Sequence, residues 1–152
     1  PTLLAFREIP PAILCIQKLH VQPDVFLVDG HGFAHPNRCG FASHLGLVMR
    51  KPTIGVAKEI LVGEVERTKV EGDVAFISDK GEVIGAQIVS KSGLKPIYVS
   101  VGHMISLGTA IEIVKRCTLH NRLPEPVSQA HKIATAEKRK VNISTTTVTS
   151  SE

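Results

Sequence analysis

Four consecutive apolar residues, Val25-Phe26-Leu27-Val28, are bounded by Asp24 on one side and by Asp29-Gly30 on the other. A run this short, without polar alternation, predicts a strand buried on both faces, and such strands sit in sheets covered by helices on both sides. Thr53 to Ala57 reads as a second strand of the same kind. Gly30 to Gly40 between them holds glycines, histidines and a proline, which is loop composition, and Phe41 to Met49 reads as a helix stopped by Arg50-Lys51-Pro52. A mixed α/β layout, with buried strands joined by helical crossovers, follows.

The rest of the chain fits that class. Pro10-Pro11 marks a helix start, with apolar residues at helical spacing from Ala12 to Leu19. Two apolar runs around Asp79-Lys80-Gly81 predict a hairpin, and Lys91-Ser92-Gly93 predicts a turn before a strand at Ile97 to Ser100. Ser106 to Leu119 is an amphipathic helix, and Pro124-Glu125-Pro126 opens a last helix reaching about Arg139. Residues 141–152 are Ser/Thr-rich and read as a disordered tail, leaving one domain over residues 1–140.

Composition removes several classes. The chain has 152 residues and a formal net charge of +4, which is compatible with a polyanionic partner without requiring one. No apolar run is long enough for a membrane span. Aromatic residues are 4%, with no Trp, so a base-stacking platform is not expected. Phosphate-loop, dinucleotide-binding and nucleophile-elbow motifs are absent. Three cysteines at unrelated spacings predict reduced thiols and a cytoplasmic protein. The first residue is Pro1 and an apolar segment follows at once, as in a piece of something longer.

Ligand sites in open α/β sheets form beyond the carboxyl ends of strands. Asp29 stands at such an end, with small neighbours that allow close approach of another molecule. A rigid carboxylate there suits a hard cation such as Mg²⁺, or it caps the loop by bonding nearby N–H groups. Glu8 stands before Pro10-Pro11, where the helix dipole alone would account for it. Lys58 ends the second strand and could hold a phosphate or neutralise a carboxylate. His131 shares a helical stripe with Val127, Ala130 and Ala134, as a core residue, a ligand or a proton carrier. His31, His35 and Cys39 offer a zinc alternative, although their spacing matches no recognised zinc pattern.

Several ordered segments carry a more specific signal. They are Leu4-Ala5-Phe6-Arg7-Glu8, Val28-Asp29-Gly30-His31-Gly32, Ala34-His35-Pro36, Gly40, and Ala42-Ser43-His44-Leu45-Gly46. They continue through Pro52-Thr53-Ile54-Gly55-Val56-Ala57-Lys58, Tyr98-Val99-Ser100-Val101-Gly102-His103, Arg122-Leu123-Pro124-Glu125-Pro126 and Ala130-His131. Over roughly Pro1 to Lys140 the chain resembles the endonuclease V family, the nucleases that repair deaminated bases. The resemblance implies an α/β, RNase H-like fold, a mixed sheet with flanking helices that here lacks its first strand or strands, and a Mg²⁺ or Mn²⁺ requirement. It implies cleavage of the second phosphodiester bond 3′ to deoxyinosine in DNA, or to inosine in RNA. Glu8 and Asp29 would be metal-binding and catalytic carboxylates, with Lys58 and His131 completing the catalytic set. Gly30, His35, Gly40, Ala57, Leu61 and Ser100 would line the pocket for the extruded base. Lys132, Lys138, Arg139 and Lys140 could track phosphates without reading sequence. A complete protein of this kind would be a monomer.

The chain departs from the family in two places. The earlier strand that carries the family's first catalytic Asp has no counterpart before Glu8, and the wedge segment survives only as Pro1-Thr2. The alternative expectation is therefore a catalytically impaired fragment that only binds nucleic acid.

Overall fold

The computed structural model of the chain describes residues 4–71, 73–90 and 93–148. Pro1-Thr2 and the first two positions of the Lys91-Ser92-Gly93 turn thus lie outside the described residues. The elements run α1 (Leu4–Ile16), β1 (Phe26–Asp29), α2 (Phe41–Met49), β2 (Thr53–Ala57), β3 (Glu64–Glu71), β4 (Val74–Asp79), β5 (Glu82–Ile88), β6 (Ile97–His103), α3 (Leu107–Cys117) and α4 (Glu125–Val148).

The strands form one mixed sheet in the order β1-β2-β6-β5-β4-β3. The β1–β2 pair is parallel, running from Phe26 opposite Thr53 to Asp29 opposite Val56. The other pairs are antiparallel. Ile54, Val56, Ala86, Ile88, Ile97 and Val99 pack on one face against Ala110 and Val114 of α3 and Val127 of α4. On the other face Val28 packs with Ala42 and Leu45 of α2 and with Ala12, Ile13 and Ile16 of α1. The expected class, a mixed sheet between helices, is the observed one.

β2 is buried at all five positions, as its unbroken apolar run requires. β1 differs from expectation. Only Val28 is fully buried, because β1 stands at the sheet edge and its Phe26 and Leu27 are half-covered. The predicted hairpin is β4–β5, and its turn places Lys80 at φ 54° and Gly81 at φ 82°. Two successive positive φ values match the right-handed twist of the flanking strands, and Gly81 carries the second without steric cost. β3 was not expected, since its run Glu64–Glu71 is rich in charge. It is the opposite edge strand, where half the side chains can face water.

Two helices depart from their sequence reading. α1 begins at Leu4, so Pro10 and Pro11 lie inside it rather than opening it, and Glu8 sits in its second turn rather than before its start. An interior Pro costs about 3 kcal/mol in an isolated helix. Packing of Ala12, Ile13 and Ile16 on the sheet, not propensity, therefore holds α1. α4 continues past Arg139 to Val148, so the tail expected to be disordered from 141 is helical as far as Val148. Residues 149–152 lie outside the described residues. Ala134, Ala136, Glu137, Lys138, Arg139 and Lys140 are strong helix formers, and extending an established helix needs no new nucleus.

Candidate active site

β1 ends at Asp29, and two basic side chains from distant elements meet one oxygen of its carboxylate. Lys58, one residue past β2, donates from Nζ to Asp29 Oδ2 at 3.2 Å. His131, in the second turn of α4, brings Nδ1 to 3.6 Å from the same oxygen. The parallel β1–β2 register sets the first meeting, because Asp29 opposite Val56 puts Lys58 just beyond the same strand end. α4 sets the second, because Val127 anchors its first turn in the core. Asp29 and Lys58 are 41% and 37% exposed. An ion pair that open to solvent contributes only about 0–1 kcal/mol to stability. The arrangement therefore does little for the fold and leaves three reactive groups accessible. A cavity of about 240 Å³ opens beside them, lined by Leu27, Asp29, Val127, Ala130, His131 and Ala134.

Among the described residues Asp29 Oδ1 accepts no hydrogen bond, while both partners occupy Oδ2. A carboxylate with one free oxygen is a fitting donor for a hard divalent cation that keeps most of its waters. Glu8 is the second carboxylate expected there. It lies half-buried one turn before Ala12, on the stripe of α1 that continues through Ala12 and Ile16 toward Val28. Phe6 docks this end of α1 edge-on against His44 of α2, with ring centroids 5.4 Å apart. Glu8 itself makes no hydrogen bond or ion pair among the described residues. The structure thus gathers Asp29, Lys58 and His131 and leaves Glu8 unbonded on the neighbouring helix. No group of three His, Cys, Asp or Glu side chains close enough to hold a metal occurs among the described residues, which removes the zinc set His31, His35 and Cys39. Cys15, Cys39 and Cys117 are free thiols.

The loop from Gly30 to Gly40 lies directly on the sheet. The Gly32 N–H donates to the buried Ser100 Oγ at 3.0 Å, and the Phe33 N–H donates to Val101 O at 2.6 Å. The Gly40 N–H closes the loop on Gly32 O at 2.9 Å, and the Gly30 N–H donates to Val56 O at 3.1 Å. A Cβ on Gly32 would stand 2.0 Å from Val101 O, so only glycine permits this approach. Gly30, Gly40 and Ser100 thus belong to one bonded unit, with Ala57 buried at the end of β2 beside it. Leu61, four residues past β2, is 50% exposed and stands apart from this bonded unit among the described residues.

His35 stands within that loop. Its Nδ1 accepts from the Asn37 N–H at 3.2 Å, so the ring proton resides on Nε2. Burial first, and His44 second, hold the His35 pKa below its usual 6.5. Burial and then His35 do the same to His31. A depressed histidine pKa means that the unfolded chain takes up the proton first as pH falls. The stability from keeping His35 neutral is complete above about pH 6.5 and is lost as pH drops toward the folded-state value. His35→Asn should therefore flatten the decline of melting temperature between about pH 7.5 and pH 5.5. Parallel melting curves for parent and variant would remove His35 from that account.

One residue of this region gave no signal in the sequence. Arg38, at φ 54°, donates from Nη2 to Asp79 Oδ2 at 2.8 Å and from Nε to Glu82 Oε2 at 2.9 Å. It also reaches His35 O at 3.2 Å and stands 5.7 Å over the Phe33 ring. The β4–β5 turn thereby clamps the loop that carries His35. Asp79 and Glu82 hold the guanidinium pKa above its usual value. Nothing local in the sequence pairs residue 38 with a hairpin some forty positions away. A larger cavity of about 570 Å³, lined by Val74, Phe76, Leu107, Ile111 and neighbours, contains none of the candidate residues.

Fold and site together define an α/β protein with a carboxylate–lysine–histidine centre at its strand ends. The sequence profile of the family described as Endonuclease V matches residues 1–132, and the chain belongs to that family. It is 48% identical over 145 residues to the endonuclease V of Rippkaea orientalis, covering 95% of this chain and 63% of that protein. The crystal structure of endonuclease V from Streptomyces avermitilis superposes with a TM-score of 0.85 at 35% identity, over 93% of this chain and 63% of that one. The Ciona intestinalis endonuclease V, solved with a 24mer DNA containing an inosine followed by a ribo-adenosine, gives 0.78 at 41% identity, over 91% and 66%. The chain therefore spans about 63% of the length of the first of these relatives. No helix among the described residues is long and apolar enough to cross a membrane.

Proposed function

We propose that this chain carries the catalytic centre of a nuclease that hydrolyses a phosphodiester 3′ to deoxyinosine in DNA, or to inosine in RNA. The convergence of Lys58 and His131 on Asp29 Oδ2, beside a loop laid onto the sheet, carries the reading. Family membership and the inosine-containing DNA bound by the Ciona relative support it.

Each group has a part in that chemistry. In-line attack on a phosphodiester places negative charge on the phosphoryl and leaving oxygens. Lys58 Nζ supplies a fixed positive charge beside that point. Asp29 orients the lysine through Oδ2, and Asp29 together with Glu8 of α1 would hold a Mg²⁺ or Mn²⁺. Such a cation lowers the pKa of bound water and neutralises the phosphate when bound. With Nδ1 turned to Asp29, His131 has Nε2 available to exchange a proton with the leaving oxygen. Gly30, where an added Cβ would meet only Phe41 at 3.9 Å, leaves the backbone open to a base extruded from its stack, with His35, Gly40, Ala57, Leu61 and Ser100 around it. By the family resemblance the cut falls at the second bond 3′ to the lesion.

The test is a nicking assay of the chain on a duplex with one deoxyinosine, with Mg²⁺ and with chelator, beside an inosine-containing RNA. Metal-dependent nicking on the 3′ side, absent on undamaged duplex, is the expected result. A second reading rests on the lack of a three-ligand acidic cluster among the described residues. Under it the chain binds inosine-containing nucleic acid without cutting. Selective binding at fixed salt with no product would establish that reading instead.

A further inference from the structure

We propose that Arg122 is the positioning residue for Lys58, and that it ties the lysine and the start of α4 into one frame around Asp29. This rests on the nuclease reading above for its consequence, though not for its geometry. β2 and β6 pair as far as Ala57 opposite Tyr98. Pro96, just before β6, has no N–H with which to extend the ladder. The carbonyls of Lys58 and Pro96 are left at its end. The Arg122 guanidinium meets both: Nη2 donates to Lys58 O at 2.5 Å and to Pro96 O at 2.8 Å, and Nε donates to Pro96 O at 3.1 Å.

Arg122 stands between α3 and α4, three residues before Glu125 opens the helix that carries His131. The two groups that meet Asp29 Oδ2 thus come from chain segments joined by this one side chain. Lys58 lies beyond its strand and is 37% exposed, and among the described residues Arg122 makes the one side-chain bond to its backbone. Lysine cannot replace the fork, because one ammonium lacks the fixed spacing that spans two carbonyls. A displacement of about 1 Å at a catalytic group can cost on the order of 100-fold in rate.

The test compares Arg122→Ala and Arg122→Lys with the parent, well below the lowest melting temperature of the three. Single-turnover nicking is expected to fall by about 10- to 100-fold in Arg122→Ala with substrate affinity nearly unchanged, and Arg122→Lys should not restore it. In a Lys58→Ala background the same Arg122→Ala change should add less than about 3-fold, because the residue acts through Lys58. Competitive acylation of Lys58 against the exposed Lys80, read by mass spectrometry, gives an answer that needs no nicking. Lys58 should label several-fold faster relative to Lys80 in both Arg122 variants. An unchanged labelling ratio, or a full additive rate loss without Lys58, would overturn the proposal. A parent that never nicks but shows the labelling change would sink the nuclease reading and leave the role of Arg122 intact.

Discussion

Asp29→Asn is expected to lower metal-dependent nicking by at least 100-fold while leaving folding stability within about 1 kcal/mol of the parent. The first half follows from position. Asp29 is the one group that both Lys58 and His131 address, and its other oxygen is free among the described residues. An amide in its place keeps the shape but loses the charge that orients the lysine and attracts a divalent cation. The second half follows from exposure. The carboxylate is 41% exposed, so removing its ion pair uncovers no buried unpaired charge. Nicking rates and thermal melts on the same preparations check both halves. Undiminished nicking would displace Asp29 from the centre. A large loss of stability would make it a structural residue instead.

Gly32→Ala should do the reverse, reaching function only by breaking the scaffold. A Cβ there would lie 2.0 Å from Val101 O and 2.6 Å from Val101 C, both backbone atoms of β6. The loop cannot slide aside, because the neighbouring N–H groups of Gly32 and Phe33 are bonded to Ser100 Oγ and Val101 O. Overpacking of this kind costs about 3 kcal/mol, which in a chain of this size lowers the melting temperature by on the order of 10 °C. Gly108→Ala is the matching control. Nothing lies within 4 Å of a Cβ at Gly108, and it sits in α3, where alanine is the better helix former. Its melting temperature should be unchanged or slightly raised. A Gly32→Ala protein as stable as the parent would mean that the loop does not rest on β6 as described.

Much of the framework was legible because it is locally encoded. The apolar runs at Phe26 and Thr53, the Asp79-Lys80-Gly81 turn and the bounds of α2 each depend on a few adjacent residues. Reading failed where tertiary packing overrides local preference. Pro10 and Pro11 signal a helix start, but α1 runs through them because its apolar face is buried against Val28 and Leu45. β3 was hidden because a charged edge strand shows little alternation.

The candidate residues themselves were found by two routes. Asp29 and Lys58 were visible as strand-end groups, and the family resemblance gave roles to them and to Glu8 and His131. Local pattern cannot show which of these meet. Asp29 and Lys58 come together through the parallel register of two strands joined by a helix, and His131 joins them through a helix anchored by Val127. Arg38 and Arg122 bond across 41 and 64 positions, so no window of sequence contains both partners. The sequence by itself determined the strands other than β3, the glycine loop and the chemical identity of the candidate groups, since those reside in single residues and near-neighbour periodicity. The tertiary structure alone decided that β1 is an edge, that Lys58 and His131 share one oxygen of Asp29, and that two arginines hold the site in place. Those facts depend on strand order and register, which arise only when distant segments pack into one core.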